Sequence, residues 1–202
     1  MSRSDRYPSI LLFGGPGAGK GTQGAVIGQM PNLVHLAMGD IFRAIDKKSP
    51  LGEEFQSYSA TGLLVPDELT IRVFKQHVSD LIEQGTIDLR YHTLILDGIP
   101  RTTAQVELLE DVIHVLRLIH LVIDDRDALI ARLRGRATKA NRVDDADDDV
   151  IRKRIEVYER ETHPVLEKYP KKLIAKVNAD QPPLAVLRDV ADCLVHVVSP
   201  KI

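Results

Sequence analysis

Five short apolar runs punctuate the chain: Ser9–Phe13, Leu33–Ala37, Thr93–Asp97, Leu118–Ile123 and Leu173–Val177. Their apolar character is nearly continuous rather than alternating, as in strands of a parallel sheet covered on both faces. Between the runs, apolar positions recur at the helical period. Leu69, Val73, Phe74, Val78, Leu81 and Ile82 mark one helix, and Leu184, Leu187, Val190, Ala191, Leu194 and Val198 another. Thr22–Gln29 reads as a third. Strand and helix in alternation predict an α/β fold, a doubly wound parallel sheet with helices on both faces. Ligands of such sheets sit outside the carboxyl ends of the strands, and the unusual polar motifs of this chain all follow strands. Two stretches stand outside the repeat. Residues 38–65, broken by Ser49-Pro50, Gly52 and Gly62, read as inserted helical material. Residues 136–147 are polar and read as a short mobile loop over the sheet edge.

The first strand ends in Gly14-Gly15-Pro16-Gly17-Ala18-Gly19-Lys20-Gly21-Thr22. Strand, glycine-rich turn and helix in that order make a phosphate cradle. Glycine lets bare backbone N–H groups approach an anion, and a helix N-terminus adds unpaired donors and a positive dipole end. Lys20 supplies a full charge for the β/γ-phosphates. A hydroxyl just inside the helix can reach Mg²⁺. Gly21 occupies the usual hydroxyl position, and Thr22 follows one residue later. Nucleoside triphosphate binding is the reading this motif supports.

The second strand is followed by Gly39-Asp40-Ile41-Phe42-Arg43, which puts an arginine one turn into a helix. Gly62 to Glu68 ends the insert; Pro66 suits a helix start, and Asp67 and Glu68 suit its dipole. The third strand closes on Asp97, placed to hold Mg²⁺ through water beside the cradle. Gly98 and Pro100 then shape a turn that aims Arg101 over the strand ends. Arg132 and Arg136 are one helical repeat apart and share a face. With Arg142 and Arg154 they flank the polar loop. Phosphoryl transfer spreads charge over three equatorial oxygens and needs such positioned cations. Arg134 and Lys139 read instead as an exposed, solvated face.

Composition narrows the partners. The 202 residues carry a net charge of −2, so no overall basic field exists for nucleic acid or an anionic membrane. An anionic ligand has to be held by local cations. The one cysteine, Cys193, excludes an intrachain disulfide and fits a reducing compartment; its apolar-periodic setting reads as a small buried side chain. No apolar stretch reaches the ~20 residues of a membrane span, and no signal-like segment opens the chain. These features predict a soluble cytoplasmic protein. The acidic run Asp144 to Asp149 reads as a cap and acidic first turn for the next helix.

Taken together, GGPGAGKGTQ (14–23), GDIFR (39–43), LVPDE (64–68), LDGIPRTTAQ (96–105), RVDD (142–145) and RKR (152–154) resemble, in order, the motifs of the adenylate kinase family. The resemblance covers residues 9–198. It implies a single P-loop kinase domain with a five-stranded parallel core, a lobe at 37–65 for the nucleoside monophosphate and a lid at 136–146. The implied reaction is MgATP + AMP ⇌ 2 ADP by direct in-line transfer. By position in the motifs, Gly17, Ala18, Gly19, Lys20, Gly21 and Thr22 would hold ATP, with Arg132, Arg136 and Gln181. Arg43 and Arg101 would hold the AMP phosphate. Arg142 and Arg154 would meet the transferring phosphoryl and the AMP side. Leu63, Leu64 and Val65 through their backbone, and Gln105 through its amide, would read adenine beside Met38, Gly98, Ile99 and Pro100. Thr22 and Asp97 would serve Mg²⁺ with ATP. Lys20, Arg101, Arg136, Arg142 and Arg154 form the implied catalytic set. Met38 and Ile99 depart from the usual threonine and aromatic. The lid is the short form and lacks the cysteine quartet of zinc-binding relatives, so no zinc is expected. A monomer is implied. Two alternatives remain at this point: a CMP/UMP kinase of the same superfamily, whose members carry asparagines where Thr102 and Gln105 stand, and a nucleotide-binding protein without turnover.

Overall fold

The computed structural model describes residues 6–140 and 147–198, apart from the side chains of 138–140. Five parallel strands form one sheet in the order β2-β3-β1-β4-β5. They are β1 (Tyr7–Phe13), β2 (Leu33–Ala37), β3 (Thr93–Asp97), β4 (Ile113–Val122) and β5 (Ile174–Asn178). The near-continuous apolar runs follow from the layers. Along β1, Ile10 and Leu12 pack into one core and Leu11 and Phe13 into the other, none more than 3% exposed. The period of two sends neighbouring residues to opposite faces, so both must be apolar.

Eight α-helices cover the two faces among the described residues: α1 (Lys20–Ile27), α2 (Met38–Ala44), α3 (Pro50–Thr61), α4 (Asp67–Glu83), α5 (Thr103–Leu109), α6 (Arg126–Ala140), α7 (Asp148–Val157) and α8 (Pro183–Leu194). Ile27, Leu129, Leu133, Ile151, Ile155, Val186, Val190 and Leu194 close the first core, from α1, α6, α7 and α8. Met38, Phe42, Ile71, Phe74, Val78 and Leu109 close the second, from α2, α4 and α5. No described helix is long and apolar enough to cross a membrane.

The register positions the site. Asp97 lies beside Ala37 of β2 and Leu12 of β1, so three neighbouring strands end level. The turns after them, at Gly14, Met38 and Gly98, therefore emerge side by side.

Three expectations need correction. β4 starts at Ile113, before the apolar run at Leu118, because its first half pairs with Tyr7–Ile10 despite carrying His114 and Arg117. Arg117 carries its charge out to the carbonyl oxygens of Lys172 and Cys193. The loop expected from residue 136 is helical as far as Ala140, since no breaker follows Arg136. Residues 141–146, Arg142 included, lie outside the described residues. Asp147 then caps α7, accepting from the N–H groups of Asp149 and Val150. Arg134 pairs with Asp148, tying α6 to α7. Past α7 the chain makes a wide π-type turn at Tyr158–Thr162. Cys193 is only half-buried, packed against the first core.

The insert after β2 is the helix pair α2 and α3. Ser49 caps α3 by accepting from the Gly52 N–H at 3.1 Å, and Pro50 takes the first helical position. Gly52 packs against the backbone of the preceding turn: a Cβ there would lie 2.1 Å from the Asp46 carbonyl oxygen. Phe42 of α2 stacks on Phe55 of α3, ring centres 5.0 Å apart.

Candidate active site

The cradle after β1 has the backbone its glycines predict. Gly14, Gly17 and Gly19 take positive φ, and Gly19 in the left-handed region starts α1 with no side-chain cap. The first N–H groups of α1 thus keep their donors for a ligand. Lys20 Nζ donates to the carbonyl oxygens of Gly14 (2.7 Å) and Gly15 (3.1 Å), which holds it inside the loop. Its pKa falls to about 8. Burial is the largest cause; Asp97 opposes it, and Arg101, Arg136 and Arg154 lower it further. An anion in the cradle reverses that balance.

Two cavities open at the strand ends. The first is lined by residues 17–22 of the cradle, with Asp97, Arg132, Arg136 and Gln181. Arg132 is braced by the Ala179 carbonyl (2.9 Å) and Asp180 (3.3 Å) on the loop after β5. The Gln181 amide is committed to the Asn178 carbonyl and Asp189. Thr22 is exposed in the first turn of α1. A Cβ on Gly21 would stand 3.5 Å from Asp97 Oδ2, in ordinary contact, so this position of the cradle lies directly beside that carboxylate. The sides of this cavity suit a cation held with a phosphate: a strand-end carboxylate, a hydroxyl and room between. Among the described residues no three His, Cys, Asp or Glu side chains converge on a metal position. His35, half-buried, has its Nε2 3.9 Å from Asp97 Oδ2; burial lowers its pKa, with Asp97 and Asp40 pulling it back up.

The second cavity lies over the insert. Met38, Arg43, Leu63, Leu64, Val65, Gly98, Pro100, Arg101 and Gln105 line it. Gly98 has φ +79°, and a Cβ there would sit 2.7 Å from the Arg101 guanidinium, whose Nε donates to the Gly98 carbonyl. The turn and the arginine therefore fit each other. Thr102, not Asp97, caps α5: its hydroxyl accepts from the Gln105 N–H. Ile99 is placed differently from the resemblance. It is 1% exposed in the second core and does not line the cavity, because the turn faces its flanking Gly98 and Pro100 outward instead.

Lys20, Arg43, Arg101 and Arg154 line both cavities, as do Pro16 and Gly39. The two cavities thus share one cationic wall. Arg43 pairs with Asp40 at 2.6 Å. The stacked Phe42 and Phe55 also line the second cavity, and sequence reasoning missed both. Phe42 stands within the motif around Arg43, and Phe55 is the phenylalanine in the polar middle of α3; those were the available signals.

A family model described as adenylate kinase matches residues 12–174. Among curated proteins the chain is 39% identical to an adenylate kinase of Cyanothece sp. over 198 residues, covering 94% of each chain. It is 41% identical to one of Kocuria rhizophila over 165 residues, covering 79% of this chain and 84% of the other. It is 36% identical to one of Bacillus subtilis, covering 92% and 97%.

Proposed function

This chain belongs to the adenylate kinase family and is a phosphotransferase acting on nucleoside monophosphates, and on that premise we propose how its two cavities divide the work. The cradle cavity takes ATP and the cavity over the insert takes AMP. The reaction is MgATP + AMP ⇌ 2 ADP by in-line transfer. The observation that carries this reading is the shared wall of Lys20, Arg43, Arg101 and Arg154. A phosphoryl group passing between the cavities passes along it.

The chemistry asked of the protein is electrostatic. A phosphate monoester has lost its second proton above pH about 6, so the attacking AMP oxygen needs no general base. Charge builds on the three equatorial oxygens, and fixed cations stabilise it most where water is excluded. Lys20 and Arg136 act from the ATP side. Arg43 and Arg101 hold the AMP phosphate, and Arg154 spans both. Arg142 joins them when the lid of residues 136–146 closes, and residues 37–65 act as the AMP lobe. Arg132 and Gln181 border the ATP end. Mg²⁺, when bound with ATP, neutralises phosphate charge; Asp97 through water and Thr22 are the groups placed to hold it. The chain acts as a monomer, as the family resemblance implies, and in the cytoplasm, in keeping with its single cysteine.

The test is a coupled assay of ADP formation from MgATP with AMP, GMP, CMP and UMP as acceptors. AMP is favoured over CMP and UMP by at least ~10² in kcat/KM, because a polar pocket rejects bases that leave its hydrogen bonds unpaired. Gln105→Leu raises KM for AMP, spares KM for ATP and narrows the gap between bases. Comparable use of CMP or UMP by the wild type would overturn the acceptor assignment.

A further inference from the structure

Gln105 does not meet the acceptor cavity as a free amide. It is 1% exposed, and both ends of its amide are engaged from behind. Oε1 accepts from the Arg101 backbone N–H at 2.7 Å. Nε2 donates to Asp67 Oδ1 at 2.8 Å. The same Asp67 oxygen accepts from the Thr102 hydroxyl at 2.9 Å. Asp67 opens α4 immediately after the Leu63–Val65 wall, and its place in a helix first turn gives no reason for the side chain to reach back to α5.

The two partners of the amide are one-way groups. A backbone N–H can only donate, so it demands the amide oxygen. An ionised carboxylate can only accept, so it demands the amide nitrogen. Both bonds favour the same flip, so turning the amide over sacrifices both, and removing one partner lowers the cost of turning by one bond. One N–H and one oxygen lone pair remain for a ligand in the cavity.

That leftover pair distinguishes bases by polarity, not by size. Adenine offers an acceptor at N1 and a donor at its 6-amino group, which suits one remaining N–H and one remaining lone pair. Hypoxanthine has the same outline with the polarities reversed: N1–H donates and the 6-oxo group accepts. Against an amide with a fixed flip it meets donor with donor and acceptor with acceptor. An amide free to turn over by 180° would satisfy it.

We propose that Asp67 is a specificity-determining positioning residue, whose carboxylate locks the flip of the Gln105 amide and so selects 6-amino over 6-oxo purine monophosphates as phosphoryl acceptors. Asp67 touches no nucleotide in this scheme; it acts through Gln105. The proposal rests on the reading that the cavity over the insert holds the acceptor base.

Asp67→Asn tests it, since asparagine keeps the shape but offers an N–H as well as an oxygen. Its Nδ2 can face the amide oxygen, and one of the two locks is lost. IMP is the probe because it carries the 6-oxo edge without the extra amino group of GMP. Steady-state kinetics with MgATP give kcat/KM for AMP and IMP. The AMP-to-IMP ratio falls at least ~10-fold in Asp67→Asn, the scale of one mismatched buried hydrogen bond. The change lies in the acceptor KM, while KM for ATP stays. Thr102→Ser retains both hydroxyl bonds and keeps the wild-type ratio. A merely structural Asp67 would lower AMP and IMP together, and an unchanged ratio overturns the proposal. A wild type that does not prefer AMP in the first place sinks the acceptor assignment instead, so the two failures are separable. Should Asp67→Asn not fold, the side-chain amide of Gln105 in the unliganded wild type decides by NMR. One amide proton protected from solvent exchange, with the through-space contacts of a single orientation about the Cγ–Cδ bond, supports the lock. Rapid exchange of both protons, with contacts from both orientations, overturns it.

Discussion

Replacing Gly52 with alanine sets two effects of known size against each other. Gly52 is the third residue of α3, and alanine is the better helix former by about 1 kcal/mol. By propensity alone Gly52→Ala stabilises. The neighbours say otherwise. The added Cβ would stand 2.1 Å from the Asp46 carbonyl oxygen and 2.9 Å from Lys47 Cα. Both are backbone atoms, so no side chain can swing aside. Restoring a carbon–oxygen separation of about 3.3 Å moves the turn by about 1 Å. Strain of this kind costs roughly 1–3 kcal/mol. The same turn carries the cap: Ser49 Oγ donates to Asp46 O at 2.6 Å and accepts from Gly52 N–H at 3.1 Å. Losing it adds about 1 kcal/mol. The balance is a net loss of roughly 1–3 kcal/mol, or a fall in Tm of about 2–12 °C at the sensitivity of a domain this size. The displacement lies in the insert, where α3 presents Phe55 to Phe42 at the second cavity. The acceptor KM therefore rises several-fold while KM for ATP is unchanged. Thermal unfolding by circular dichroism and initial-rate kinetics with each substrate varied give both numbers. A Tm at or above wild type with an unaltered acceptor KM would refute the packing argument.

Two further outcomes follow from charge. Lys20→Met lowers kcat at least ~10²-fold with the fold intact, the scale of one lost electrostatic stabiliser; in the wild type, calorimetry in two buffers near pH 8 shows proton uptake on ATP binding as the Lys20 pKa rises from about 8, and the variant shows none. His120 is 7% exposed on β4, with Nε2 3.3 Å from the Tyr158 hydroxyl and Nδ1 without a partner among the described residues. Burial, then His163, Lys176 and Lys20, push its pKa down to about 4. The unfolded chain takes up that proton first as pH drops, so this part of the stability is intact above pH 6.5 and lost as pH falls toward 4. Urea midpoints at pH 7 and 5 measure it, and His120→Gln flattens the difference.

The fold was legible where burial on both faces writes itself into the chain. Leu33–Ala37 and Thr93–Asp97 form strands to the residue, because each is flanked by a breaker or a motif. The first half of β4 was hidden because an outer position tolerates His114 and Arg117, which interrupt an apolar run without interrupting a hydrogen-bonded ladder. Residues 136–140 read as loop because the sequence Arg-Ala-Thr-Lys-Ala carries no apolar stripe to announce a helix. In the site, the motifs gave residue types and order. Lys20, Arg43, Arg101 and Arg154 lie many residues apart, and only the sheet order explains their common wall. Asp67 meets Gln105 and Thr102 from another helix, and a partner that far along the chain leaves no mark at a fixed spacing.

The level ends of β2, β3 and β1 amount to a ruler. Neighbouring strands are spaced by their hydrogen bonds at about 4.8 Å, a length that side-chain repacking barely changes. The turn after β2 roots the insert and the turn after β1 roots the phosphate cradle, two spacings apart, with Asp97 on the strand between. Helices can tilt and loops can close above this base, yet the interval between their anchor points is set in backbone. Core substitutions that preserve register then alter how long the protein survives heating and leave that interval alone. A bulge in β3 would do the reverse, changing the gauge between the two roots before it cost much of the fold.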